Sequence, residues 1–420
     1  MRRFAYTLLM FALIPAALLH LWWRSRKQPE YLRHVGERFG HYDLEVRQPL
    51  IWIHAVSVGE TRAAEPLVQA FARQHPDHRI LLTHTTPTGR ATGEQLFGDR
   101  VSRVYLPYDL PFAVARFLAH FRPRVGVLME TEIWFNLAHA CSKRDVPLFL
   151  VNARLSERSA RGYGRLAHLT RAALHSLRGV GAQTDGDATR LHALGAATVE
   201  VTGNLKFDVA PSEAMVTLAV ELRQRFGTAR PILLAASTRE GEEPIVLDAF
   251  ARLGVDDALL VIVPRHPQRF DEVGRLLDAR QLRWQRRSSG EPVAPDTQVV
   301  LGDSMGEMFA YYGACDAAFV GGSLLPLGGQ NIIEACAMGT PVLIGPHTFN
   351  FAEAAERAEA AGAARRVSDA DQLATEARRL LTDPAARDGM RAQALAFAEA
   401  HRGATARTLH LIESRWSRSP

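Results

Sequence analysis

Two acidic segments stand where apolar runs stop. Ile51–Glu60 reads IWIHAVSVGE, an apolar strand that ends in Ser57-Val58-Gly59-Glu60, with a helix opening at about Arg62. Val125–Trp134 reads VGVLMETEIW, so Glu130 ends a second apolar run and Glu132 follows two residues on. A carboxylate at the end of a buried strand is costly unless it is paired or used. Two carboxylates brought together from neighbouring strand ends can divide into an acid and a base, each tuning the other. The plainer alternatives are that Glu60 complements a helix dipole and that Glu132 meets an arginine structurally.

The second half carries anion-binding chemistry. Val263-Pro264-Arg265-His266-Pro267 closes a strand with a cation. Strand Ala317–Val320 runs into Gly321-Gly322-Ser323, and Gly328-Gly329-Gln330-Asn331-Ile332-Ile333-Glu334-Ala335 opens a helix. A Gly-rich turn before a helix N-terminus suits phosphate, because free N–H groups and the dipole favour anions. Glu334, one turn in, is placed to hold a ribose hydroxyl. The alternative is an ordinary turn capped by Asn331. Three other motifs fail on context. Gly302-Asp303-Ser304-Met305-Gly306 has the spacing of a nucleophile elbow, but Asp316 and His347 follow it in an unusual arrangement. Gly162-Tyr163-Gly164 lacks a preceding strand, and Asp185-Gly186-Asp187 reads as a helix cap. A lysine phosphate loop and an H-E-x-x-H zinc helix are both missing from the sequence, and no metal site is expected.

The elements that must position these residues alternate strand with helix. Leu50–Val56, Arg79–Thr83, Arg103–Leu106, Arg124–Met129, Pro147–Val151 and Thr198–Thr202 read as strands. After a polar stretch at about 211–230 come Ile232–Ala236, Ala258–Val263, Gln298–Leu301, Ala317–Val320 and Pro341–Ile344. Short continuous apolar runs separated by helices mean buried parallel strands. The pattern predicts two doubly wound α/β domains, 28–210 and 211–420, with a cleft between them. The length of 420 residues agrees, at roughly 150 residues per domain.

Residues 1–27 read as a membrane anchor. Phe4–Trp23 contains no Asp, Glu, Lys or Arg over 20 residues, which as one helix spans about 30 Å. Trp22 and Trp23 close it like an interfacial belt, and Arg2 and Arg3 precede it. Arg24, Arg26, Lys27 and Arg33 make the following flank the more positive, which puts the body of the protein in the cytoplasm. Trp-Trp-Arg-Ser-Arg offers no signal-peptidase site, and a helix lying in the interface is the fallback. Between Lys143 and Arg178 stand eight Lys/Arg and two acids, a local +6 against +5 for the whole chain. So one-sided a run beside an anchor suits an anionic lipid surface, and Arg154 and Arg158 are candidates for acceptor phosphates. Hydrophobic residues at 47% and charged residues at 23% exclude a disordered chain. Cys141, Cys315 and Cys336 lack metal-binding spacing and suit a reducing compartment.

Together these residues resemble the 3-deoxy-D-manno-oct-2-ulosonic acid (Kdo) transferases of lipopolysaccharide synthesis. IHAVSVGE, THTTPTG, YLPYD, METE, NARLS, GNLKFD, PRHP, GDSMGEM, FVGGS and GPHTFNF follow one another in that family's order. The resemblance implies an inverting, metal-independent GT-B glycosyltransferase with no cofactor. Its donor is CMP-Kdo, and its acceptor is a lipid A precursor at the inner face of the inner membrane; no nucleic acid is involved. Carried over, Glu60 is the general base, and Glu130 and Lys206 act in the transition state. CMP contacts are expected at Arg265 and His266, at Met305, Gly306 and Glu307, and at Asn331, Ile332, Ile333 and Glu334. The chain departs from the pattern at Phe135, where proline is expected, and at Gln330, where histidine is common. The alternatives are another sugar transferase, a nucleotide-sugar epimerase, which needs no lipid surface, or a membrane-anchored nucleotide-binding scaffold.

Overall fold

The computed structural model describes residues 3–26 and 28–416. Arg2 and Lys27 of the anchor's flanks lie outside the described residues. The chain forms two compact units, 1–208 with 403–420 and 209–402.

The first unit is built on a seven-stranded parallel sheet of order β3-β2-β1-β4-β5-β6-β7. Its strands are β1 (Leu50–His54), β2 (Arg79–His84), β3 (Val101–Tyr105), β4 (Val125–Met129), β5 (Leu148–Ala153), β6 (Gly179–Ala182) and β7 (Val199–Val201). β1, β4, β5 and β6 are buried along their whole length, as strands covered by helices on both faces must be. One face packs Trp52, Phe117, Leu128, Leu150 and Leu174; the other packs Ile53, Leu67, Phe71, Val127 and Phe149.

The second unit repeats the plan with order β10-β11-β9-β8-β12-β13-β14. Its strands are β8 (Ile232–Thr238), β9 (Leu259–Pro264), β10 (Trp284–Arg286), β11 (Val299–Leu301), β12 (Ala317–Val320), β13 (Val342–Ile344) and β14 (Ala364–Arg366). Every expected strand is present to within two residues at either end, and β6, β10 and β14 go beyond the expectation.

Two expectations are corrected. The second domain does not run to 420: helix Ala404–Trp416 belongs to the first unit, where Leu409 and Ile412 join the face with Phe149. The Asp208 carboxylate fixes this return by accepting from the Gly403 N–H at 2.8 Å and the Thr405 N–H at 2.6 Å. Nor is Phe4–Trp23 one straight span. It forms α1 (Arg3–Ala12) and α2 (Ile14–Ser25), bent by 42°. Pro15 lies in the first turn of α2, where its ring and missing N–H interrupt a helix coming from before it. Among the described residues no single helix is long and apolar enough to cross a membrane, whereas the bent pair passes on length and composition together. α1 is also fastened to its own unit. The Tyr6 hydroxyl donates to Asp109 at 2.8 Å, Thr7 donates to Asn136, and the Phe11 ring stacks on Phe112.

Candidate active site

β1 and β4 lie side by side, His54 beside Leu128, while the chain continues from them toward opposite edges of the sheet. Such a switch point is where open α/β sheets bind ligands. Both acidic segments stand at these carboxyl ends. After β1 the Ser57 side chain caps α3 (Val58–Ala63), and Glu60 returns its carboxylate to the turn. One oxygen accepts from the Val56 N–H at 2.7 Å and the other from the Ser57 hydroxyl at 3.1 Å. This is a variant of the S-x-x-E cap in which the carboxylate takes the N–H of Val56, one residue before the cap. The cap accounts for where the carboxylate points but not for its acidity. Glu60 is 8% exposed, and burial, opposed by the Val56 N–H and reinforced by the charges of Glu130 and Glu132, raises it to about 7. A carboxylate so placed can exchange a proton near neutral pH.

Glu130 follows β4 in a left-handed conformation, φ +56°. A side chain is uncommon there, and such backbones gather at functional sites. Its carboxylate accepts from the Lys206 ammonium at 2.9 Å, so two of the family-implied residues meet directly. Lys206 is held from behind by a polar frame. The Asn152 side-chain oxygen accepts from the Leu205 N–H at 3.0 Å, and that of Asn204 accepts from the Lys206 N–H at 3.0 Å. Gln183 ties the two together, accepting from Asn204 and donating to the Asn152 carbonyl. Glu132 forms no ion pair among the described residues, against the expectation of an arginine; burial and the Glu130 charge push it up.

The second unit places its candidates likewise at carboxyl ends of strands. Arg265 and His266 follow β9, with the Arg265 N–H donating to Thr238 at 3.0 Å. Burial, and the cations Arg239, Arg265 and Arg269, lower the His266 pKa. Met305, Gly306 and Glu307 follow β11. Met305 is exposed, Gly306 takes φ +81°, and Glu307 pairs with Arg287 at 3.3 Å. Ser304 bonds to Glu307 at 2.6 Å and to Tyr311 at 2.7 Å, and no histidine bonds to it among the described residues. Asn331 stands two residues before the short helix Ile333–Ala337, accepts from the Ile333 N–H at 3.0 Å and donates to Glu334 at 3.3 Å. Ile332 and Ile333 are buried, and the Ile333 N–H is already taken by Asn331. Arg154 and Arg158 are exposed, one after β5 and the other on helix Glu157–Gly164.

Sequence reasoning passes over Ser57, Asn152, Gln183 and Asn204. Ser57 was signalled by its place three residues before Glu60. Asn152 was signalled by a polar residue inside the apolar run LFLVNA. Gln183 and Asn204 become visible only when β5, β6 and the turn at 204 are adjacent.

Comparison with known proteins adds the chemistry. Residues 33–209 match the family described as 3-Deoxy-D-manno-octulosonic-acid transferase (kdotransferase), and 244–396 match glycosyl transferases group 1. A 3-deoxy-D-manno-octulosonic acid transferase of Bordetella pertussis is 48% identical, covering 98% of this chain and 99% of that one. Its counterpart from Haemophilus influenzae is 38% identical over 98% of each. Among solved structures, a UDP-GlcNAc 2-epimerase from Neisseria meningitidis bound to UDP-GlcNAc covers 87% of this chain and 100% of its own. It is 15% identical with a TM-score of 0.54. So low an identity shows a shared fold alone, a GT-B-like pair of α/β domains.

Proposed function

The chain belongs to the 3-deoxy-D-manno-octulosonic acid (Kdo) transferase family, and on that premise we propose that Glu60 is its general base. The activity itself, CMP-Kdo-dependent glycosyl transfer in lipopolysaccharide core synthesis, follows from the family. In the reaction a hydroxyl of the lipid A precursor attacks the anomeric carbon of Kdo. Glu60 takes the hydroxyl proton, and the bond to CMP breaks with its electron pair staying on the phosphate. The observation that carries this reading is a buried carboxylate held near neutrality at the switch point, with the Glu130–Lys206 pair beside the same strand ends.

Lys206 supplies positive charge for the Kdo carboxylate, and Glu130 orients that ammonium at 2.9 Å. CMP is bound by the second unit through Arg265 and His266, through Met305 to Glu307, and through the backbone and carboxylate of Asn331 to Glu334. Arg154 and Arg158 take acceptor phosphates. α1 and α2 attach the protein to the inner membrane, with Arg24, Arg26 and Arg33 keeping the catalytic units on the cytoplasmic side.

The test is direct. Detergent-solubilised protein, wild type and Glu60→Gln, is incubated with CMP-Kdo and a tetra-acylated lipid A precursor, and the lipid is weighed by mass spectrometry. Wild type should add Kdo. The variant should lose about 10²–10⁴-fold in rate, the usual worth of a positioned base. A variant as active as wild type sinks the assignment of Glu60.

A further inference from the structure

We propose that Glu242 is a positioning residue for the donor site: its carboxylate fastens the turn after β12 to the end of β8 and so sets the backbone of residues 328–334. The inference rests on the reading above that this segment receives CMP.

The second sheet has its own switch point. β8 and β12 are neighbours, Val320 beside Ala236, and the sheet grows from them toward opposite edges. The two strand ends are pressed together there. A side chain at Gly321 would bring its first carbon within 2.7 Å of the Ser237 carbonyl oxygen. Ser237 itself is left-handed, φ +53°, at a register irregularity of β8.

Glu242 bridges the two ends. It is completely buried and forms no ion pair among the described residues. Four backbone N–H groups satisfy it instead. One oxygen accepts from Ser323 at 2.9 Å and Leu324 at 3.0 Å, the other from Gly322 at 2.5 Å and Arg239 at 3.0 Å. Three successive N–H groups turned to one point form an anion-binding nest. Here the nest is filled from within, so the Gly321-Gly322-Ser323 turn is a support and not the phosphate site.

The turn passes its position on. The Gly322 carbonyl accepts from the Gly329 N–H at 2.6 Å, immediately before Gln330 and Asn331. The Ser323 hydroxyl accepts from the Gly345 N–H at 2.8 Å, and its carbonyl accepts from His347 at 2.9 Å. One carboxylate therefore fixes the loops that follow both β12 and β13. A glutamine has one acceptor oxygen and can satisfy one pair of these N–H groups. Its amide would turn a donor toward the other pair and leave them buried and unpaired.

Steady-state kinetics on Glu242→Gln, Glu242→Asp and Asn331→Ala test the proposal in the full-length protein. Glu242→Gln should raise the KM for CMP-Kdo by about 10-fold or more, with the KM for the lipid acceptor within about 2-fold of wild type. Glu242→Asp keeps the charge and both oxygens and should fall between. Asn331→Ala reports on the donor segment itself. If it leaves the CMP-Kdo KM unchanged, the donor reading fails and this inference with it. If it raises that KM while Glu242→Gln does not, only the present inference fails. Equal changes in both KM values for Glu242→Gln, or loss of cooperative melting in both Glu242 variants, would make Glu242 a general folding residue and overturn the proposal.

Discussion

The Val56 N–H and the Ser57 hydroxyl both donate to Glu60, which favours its ionised form, yet burial and two neighbouring carboxylates outweigh them and raise it to about 7. With Glu60 as the proposed base, which must be ionised to act, kcat/KM should climb with pH through about 7 and level off above it. The Glu130 charge is one of the contributions that raise Glu60. Glu130→Gln removes it, so whatever rate survives should show its acid limb at lower pH than wild type. A limb that stays put would mean that another group titrates. Stability runs against this use. An unfolded glutamate releases its proton near pH ~4.3, whereas folded Glu60 keeps its proton to about 7. Between those values the native state binds more protons, so Glu60 makes stability fall as pH rises. Glu60→Gln escapes that cost and can still accept from Val56. It should melt above wild type at pH 8 and level with it at pH 4, by calorimetry; a variant that melts lower at pH 8 contradicts the buried-charge account.

At the scale of elements, the site is a set of strand ends fixed by polar side chains that point backward. Asn152 is buried and left-handed, φ +52°, and its oxygen holds the Leu205 N–H just before Lys206. Asn152→Ala leaves that N–H without its partner, at a cost of about 1–3 kcal/mol, and puts alanine where asparagine tolerates φ above zero better. Lys206 is then misplaced, so kcat should fall about 10-fold along with the melting temperature, and Asn152→Asp, which keeps the acceptor, should recover much of it. Wild-type kcat in Asn152→Ala would detach Lys206 from this frame. Asn152 also shows what the sequence hides. The strand cores were legible because β1, β4 and β8 are continuous apolar runs that suit one structure. β6 was not legible. It reads Gly-Val-Gly-Ala, and Thr202 and Leu411 crowd Gly181, a demand made by partners distant in sequence. β10 and β14 are three-residue strands carrying arginine, without the apolar signal of a central strand. The carboxylates were legible by interrupting apolar runs; Gln183 and Asn204, which complete the frame behind Lys206, had no pattern of their own.

At the scale of the whole molecule, the question is how the protein meets its lipid. On the proposed attachment to the membrane, the net charge of +5 and the +6 segment from Lys143 to Arg178 would favour an anionic surface. Exposed apolar side chains stand on both N-terminal helices. Phe4, Leu8 and Phe11 are exposed on α1, and Leu19, Trp22 and Trp23 on α2, with Phe112 of the first unit beside Phe11. Straightening α1 and α2 into a span would pull Tyr6 from Asp109, a buried carboxylate that also accepts from the Asn136 and Leu137 N–H groups. It would also separate the Tyr6 ring from Phe135, 5.0 Å away in edge contact. Losing a donor to a buried carboxylate costs about 1–3 kcal/mol, so, on the proposed attachment, we expect the docked, bent pair to lie in the headgroup layer and not to cross it. Cysteine labelling separates the two arrangements, because Cys141, Cys315 and Cys336 are buried and give little background. In inverted inner-membrane vesicles, Phe4→Cys and Ser25→Cys should both react with a membrane-impermeant maleimide. Labelling of Ser25→Cys alone, with Phe4→Cys reacting only in right-side-out vesicles, would mean that the pair crosses the bilayer and that Tyr6 has left Asp109.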